Sequence, residues 1–219
     1  MYLTCSGSRS PTVVLVSGLG ERADNWAVTT DTSASSQAVF PQVARVTRVC
    51  AYDRPGTETT TATGRQESRS TPVTQPTTGS AAASDLNAML TASGERGPFV
   101  LVGHSYGGDV IRLYAAAHPK DTAGLVLVDA LSEDLPNRLT PEQSANLEKL
   151  ISPETQGLLG GAVHVQRRLP ELRSTTTTPA VPVVVLSAGG HYIHREQPQV
   201  VVDAITQVAS RARGTPGPT

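Results

Sequence analysis

A serine between two glycines, at the end of an apolar run, is the first place where this chain can do chemistry. Phe99-Val100-Leu101-Val102 reads as a short strand, and the residues from Tyr106 carry a helical pattern through Ile111, Leu113, Tyr114 and Ala117. Between them lies Gly103-His104-Ser105-Tyr106-Gly107, a G-x-S-x-G pentapeptide. Such a pentapeptide has meaning only in a strand–turn–helix context, which this one has. It reads as a nucleophile elbow: Gly103 and Gly107 let strand and helix approach closely, and the Ser105 hydroxyl projects into a cleft above the positive end of the helix. The competing reading is a glycine-rich turn with an ordinary serine.

A serine hydroxyl is a poor nucleophile until a base takes its proton. Histidine has the pKa range to accept that proton and return it to a leaving group. The chain has five histidines. His104 lies inside the elbow and points away from the serine hydroxyl, packing beside it. His118 sits at a helix C-terminus, where a cation is favoured. His164 has no supporting pattern. His191 follows Gly189-Gly190, which permit a tight loop, and His194 is its rival three residues on. An oxyanion formed at Ser105 needs preplaced donors. The backbone N–H of Tyr106 supplies one by elbow geometry, and that of Leu19, in Ser17-Gly18-Leu19-Gly20, is the candidate for the second.

These groups must be positioned by a sheet. Tyr2 to Cys5 reads as a short strand. Thr12 to Val16, Val46 to Tyr52, Phe99 to Gly103, Gly124 to Val128 and Val181 to Leu186 are strand-length apolar runs bounded by turn residues. They alternate with helical patterns: residues 34–45, interrupted by Pro41; Ser80 to Ser93, with Ala82, Leu86, Met89 and Leu90 at i, i+4, i+7 and i+8; the helix after the elbow; and a terminal helix from Gln197. Near-continuous apolar strands alternating with helices predict an α/β fold, a mostly parallel sheet with helices on both faces, in a single domain over 1–219. Residues 57–79, rich in Thr, Ser, Gly, Pro and Gln, read as a long surface loop. Residues 131–179 break the rhythm and read as a lid-like insertion over the active edge. Within it Thr140-Pro141-Glu142-Gln143 is a helix start.

Composition narrows the class. The net charge of −1 gives no reason to expect nucleic acid or an anionic surface as partner. No apolar run approaches the ~20 residues of a transmembrane helix, and no signal peptide is visible. Two cysteines, Cys5 and Cys50, lack the number and spacing of a zinc site. They are either two buried thiols or one disulfide between neighbouring strands.

Together these pieces resemble the α/β-hydrolase superfamily, over 13–56, 80–130 and 181–210. The residues that carry the resemblance are Val14-Leu15-Val16-Ser17-Gly18-Leu19-Gly20, Cys50-Ala51-Tyr52-Asp53-Arg54-Pro55-Gly56, the elbow with Gly108, and Gly190-His191-Tyr192-Ile193-His194-Arg195-Glu196-Gln197-Pro198. They are most similar to small actinobacterial-type esterases and lipases. In that family a Gly-His before Glu-x-Pro and a terminal helix carries the general base, which assigns the role to His191. Many such relatives are exported, so the resemblance implies an exported protein and favours a Cys5–Cys50 bridge. It implies no cofactor or metal, and a small acyl ester as substrate.

The chain departs from the family pattern at the acid of the triad. That acid commonly follows the strand before the histidine, yet Ser187-Ala188-Gly189-Gly190 contains no carboxylate, and this part of the chain is shorter than the pattern. Asp129, ending the strand after the elbow helix, is the substitute, against a reading as a solvated or capping aspartate. Glu133 and Asp134 are weaker candidates, and Asp53 is expected to be structural, bonding its own turn. The expected activity is a serine carboxylester hydrolase working through an acyl-enzyme at Ser105. The alternative is a catalytically impaired, ligand-binding relative with an incomplete relay.

Overall fold

In the computed structural model of the chain, residues 1–33, 35–61, 64–73, 77–130, 132, 139–150, 179–187 and 190–214 are described. Six strands form one sheet in the order β1-β3-β2-β6-β7-β8: β1 (Leu3–Ser6), β2 (Val13–Val16), β3 (Val49–Tyr52), β6 (Phe99–His104), β7 (Thr122–Val128) and β8 (Val183–Leu186). Only β1 runs antiparallel, against β3; the other pairings are parallel. A separate antiparallel hairpin joins β4 (Glu58–Thr61) and β5 (Gly64–Glu67). It lies where the composition predicts only loop. The threonines that suggest a loop in bulk are β-branched, and they suit a strand equally well.

The core is split by the sheet, and the two-residue period of the strands does the splitting. Val13, Leu15, Val100 and Val102 face one side, with Val39 and Val43 of α1 (Val39–Val46) and Val201, Ile205 and Val208 of the terminal helix. Val14, Val16, Phe99 and Leu101 face the other, with Leu86, Met89 and Leu90 of α2 (Gly79–Ala92) and Val110, Ile111 and Leu113 of α3 (Tyr106–Ala117). Helix α1 begins at Val39, later than the apolar pattern predicts, and Pro41 falls in its first turn, where a missing N–H costs nothing. Strand β3 starts at Val49 because α1 runs through Val46 and Thr47 caps it, its backbone N–H donating to Val43 O (3.0 Å). Helix α2 is capped at both ends: Thr78 Oγ1 accepts from Ala81 N (3.0 Å), and Gly94, at φ 72°, turns the chain so that Glu95 N donates to Leu90 O.

Of the insertion expected over 131–179, the helix α4 (Pro141–Leu150) is described. Its start is the capping box read from the sequence: Gln143 N donates to Thr140 Oγ1 (3.2 Å), and Thr140 N donates to Gln143 Oε1 (2.9 Å). Residues 151–178, His164 among them, and Glu133 and Asp134 lie outside the described residues. A short helix α5 (Ile193–Glu196) and the long α6 (Pro198–Gly214) close the chain. Among the described residues, no helix is long and apolar enough to cross a membrane.

The antiparallel register sets Cys5 directly opposite Cys50, and the two are bonded. The bridge closes a loop with a sequence separation of 45, for which chain entropy gives a stabilisation of about 4 kcal/mol. Cys5→Ser is expected to lower the unfolding free energy by about 2–4 kcal/mol, read from urea midpoints with and without reductant. A variant that unfolds at the same midpoint as the oxidised parent would contradict this.

Candidate active site

The strand order places a topological switch between β2 and β6. From β2 the chain moves outward to β3, then returns to the opposite side of β2 and continues outward through β7 to β8. At such a point the loops after two adjacent strands diverge to opposite faces and leave a crevice at the strands' carboxyl ends. The loop Ser17–Gly20 and the elbow at Ser105 stand there side by side.

Ser105 has φ 49° and ψ −120°, a positive φ that a side-chain-bearing residue adopts only under constraint. The constraint is packing. A Cβ on Gly103 would collide with the Gly107 carbonyl, and one on Gly107 with the Val16 carbonyl. Ser105 N donates to Val128 O (3.0 Å), so the apex is tied to the end of β7. The next residue of that strand, Asp129, also has positive φ (45°), and its N–H donates to Leu186 O (2.9 Å) at the end of β8. Its carboxylate turns back to His191: Asp129 Oδ2 lies 2.6 Å from Nδ1, with the two side chains 32% and 45% exposed. A carboxylate on Nδ1 fixes the tautomer with the proton there, leaving Nε2 as the basic nitrogen. Among the described residues, no hydrogen bond joins the Ser105 hydroxyl to His191. Catalytic hydrogen bonds are often loose before substrate binds.

The loop after β2 is held from two sides. Arg54, buried, donates to the carbonyls of Ser17 and Gly18. In a trans peptide the C=O and the following N–H point in opposite directions. Fixing Gly18 O on Arg54 therefore turns the Leu19 N–H away from the guanidinium. Fixing Ser17 O does the same to the Gly18 N–H, which donates to Glu21 Oε2 (2.7 Å). Sequence reasoning gave Arg54 and Glu21 no role. Neither carries a local signal, since each acts on backbone brought near only by folding.

The remaining candidates sort by burial. His104 is buried beside the elbow, but it is bonded as well as packed: Nδ1 lies 2.8 Å from Glu21 Oε2 and Nε2 2.8 Å from His191 O. Burial alone would raise the Glu21 carboxyl, but His104, the more distant His194 and the Gly18 N–H together hold it below the usual range. His194 is fully buried between Trp26 (ring centroids 4.6 Å apart) and His104 (4.3 Å), and neither ring nitrogen has a partner among the described residues. Burial, followed by the charge of His104, pushes its pKa down to about 3. It therefore stays neutral and belongs to the core. His118 caps α3 at its C-terminal end. Asp53 is structural, but its partners are not in its own turn. It accepts from Ala23 N (2.9 Å) and Arg69 N (3.0 Å), and its Oδ2 lies 2.7 Å from Arg69 Nε. A buried carboxylate finds a full set of donors more readily across segments than within one tight turn.

Ligating atoms of Glu21, His104 and His194 lie within 4.8 Å of one another. Both nitrogens of His104 are already engaged in hydrogen bonds, so His104 offers no free ligand atom.

A family model described as the alpha/beta hydrolase fold matches residues 11–153. The chain belongs to the α/β-hydrolase fold family. An uncharacterised protein of Schizosaccharomyces pombe (strain 972) is 30% identical over 149 residues, 59% of this chain and 26% of that protein. The chain thus spans about a quarter of the length of the curated relative it matches. Among solved structures of this fold, an esterase from Thermogutta terrifontis superposes with a TM-score of 0.60 at 18% identity, covering 96% of this chain and 93% of its own. The epoxide hydrolase CorEH gives 0.63 at 14% identity, covering 95% and 94%. At such identities the likeness establishes the α/β-hydrolase fold.

The depressed pKa of His194 makes stability depend on pH with a definite sign. Between about pH 6.5 and 3 the unfolded chain takes up a proton at this side chain that the folded chain refuses. Stability is therefore lost as pH falls through that window, by up to ~1.4 kcal/mol per pH unit from this group. His194→Phe, which keeps a ring against Trp26, is expected to flatten the fall. Urea midpoints of both proteins from pH 7 to pH 4 measure the difference, and parallel curves would contradict it.

Proposed function

We propose that the protein is a serine hydrolase of carboxylic esters, acting through an acyl-enzyme at Ser105. The observation that carries this reading is the Asp129–His191 contact of 2.6 Å at the rim of the crevice where Ser105 holds its positive φ. Ser105 Oγ attacks the carbonyl carbon while His191 Nε2 takes its proton. The C–O bond to the alcohol breaks, and His191 returns the proton to the departing oxygen. Water then repeats the sequence on the acyl-enzyme, releasing the acid and restoring Ser105. Asp129 holds the imidazole and stabilises its cationic form. The backbone N–H groups of Tyr106 and Leu19 receive the oxyanion.

Ester cleavage is favoured over epoxide opening by the nucleophile's own chemistry. A serine that opened an epoxide would be left as an alkyl ether, which water and a histidine base cannot hydrolyse. An acyl-serine is an ester and turns over. The small-molecule ester enters from the crevice, and the segment over 131–179 is proposed to shape the acyl pocket.

A fluorophosphonate probe reacts with an activated serine whatever the natural substrate. Stoichiometric labelling by intact mass is expected, and Ser105→Ala should abolish it. Asp129→Asn is expected to lower turnover of a nitrophenyl ester by about 10⁴ while leaving the fold intact. A folded protein that the probe does not label would replace this reading with the alternative, a ligand-binding relative without turnover. Unchanged turnover in Asp129→Asn would remove that residue from the relay.

A further inference from the structure

The bonded network behind the site contains a proton that its geometry demands. His104 Nε2 faces the backbone carbonyl of His191 at 2.8 Å. A carbonyl only accepts, so Nε2 carries a hydrogen. His104 Nδ1 faces Glu21 Oε2 at 2.8 Å, and that same oxygen receives the Gly18 N–H at 2.7 Å. A neutral imidazole has one ring proton, and Nε2 already holds it. Nδ1 would then offer a lone pair to a carboxylate, both almost fully buried. The contact is attractive only if one further proton lies between Nδ1 and Oε2.

We propose that His104 and Glu21 form a proton-locked clamp that positions the catalytic machinery: one shared proton ties the loop Ser17–Gly20 to the loop bearing His191. This rests on the serine-hydrolase reading above. Through Oε2 the clamp reaches Gly18, whose peptide neighbour Leu19 is the candidate oxyanion donor. Through Nε2 it holds the main chain of His191 itself. His104 is also the residue before Ser105, so three segments carrying the nucleophile, the base and an oxyanion donor meet on one imidazole. A Cβ on Gly18 would lie 2.7 Å from Glu21 Oε2 and 2.9 Å from His104 Nδ1, so a side chain there would have to displace the pair. His104 and Glu21 are positioning residues.

The surroundings bear on where the shared proton sits. The groups facing the pair are the His194 ring from α5 (4.3 Å), the His191 ring (4.7 Å) and the Tyr192 ring (5.6 Å). Arg54 lies on the far side of the Gly18 peptide, and Arg195 acts on His194. Glu21 is held toward its ionised form, so the shared proton resides on the imidazole side. Without that proton the pair would be neutral imidazole against carboxylate, two lone pairs opposed, and both loops would lose their common anchor.

The test is 15N NMR of protein labelled at histidine, run beside nitrophenyl ester kinetics on the parent and two Glu21 variants. His104 is expected to show two ring N–H groups in the parent. Glu21→Ala should lower kcat by about 10²-fold at little change in KM, the scale of a misplaced catalytic group, and abolish the second ring proton. Glu21→Gln, whose amide can donate to a neutral Nδ1, should recover part of that loss while leaving one ring proton on His104. A single ring proton on His104 in the parent, or Glu21→Ala with the parental kcat, overturns the clamp. The ring protons are read without turnover, so two ring protons in a protein that cleaves no ester support the clamp while sinking the serine-hydrolase reading.

Discussion

The contact between the first turn of α3 and the end of β2 is the constraint on which the rest of the site depends. Gly107 sits so close to the Val16 carbonyl that no side chain fits between them, and Gly103 is equally close to Gly107. That approach forces the sharp reversal at Ser105, and the reversal gives a side-chain-bearing residue its positive φ. The same closeness seats the apex beside the loop after β2. Strain at one residue is tolerable because the apolar layers on both faces of β2 and β6 over-determine the backbone around it.

From that point the site is built by backbone control more than by side chains aimed at a substrate. Arg54 orients two carbonyls and thereby two N–H groups. Glu21 receives one of those N–H groups. His104 grips the main chain of His191 while Asp129 grips its ring. Oxyanion stabilisation depends on donors whose direction is set before the charge appears. A buried guanidinium on the carbonyl side of the Ser17–Gly18 peptide and a buried carboxylate on its N–H side leave that peptide little freedom, and the proposed donor, Leu19, lies one peptide further on.

Ser105, Asp129 and His191 stand out as candidates in the sequence because each lies where an apolar run or a glycine pair ends in a chemically distinctive residue. The sheet was legible for the same reason, and its two-residue period reappears as the two faces of the core. Asp129 is balanced between acid and cap in the sequence because the contact with His191 comes from β8, which draws the Leu186 and His191 segment alongside β7. Glu21 and His104 are 83 residues apart, and Arg54 and Ser17 are 37 apart. Pairings of that kind leave no periodicity, spacing or composition to read. The hairpin β4–β5 was hidden for another reason, since threonine serves loops and strands alike. Asp53 was placed correctly as structural, but its donors, Ala23 and Arg69, come from other segments.

The strand order also grades how firmly each member of the proposed relay is anchored. Ser105 follows β6, which has strands on both sides. Asp129 follows β7, its neighbour. His191 follows β8, which among the described residues is paired on one side, and whose Val185 side chain is 63% exposed. Local opening of a protein begins where few apolar contacts and a single hydrogen-bonded ladder hold the chain. On that grading His191, the proposed base, stands on the least firmly held of the three strands. The elbow, seated between inner strands, is the part of the site best placed to stay formed where the outer strand loosens. The proposed relay would then be complete only while the ladder from β6 to β8 is closed.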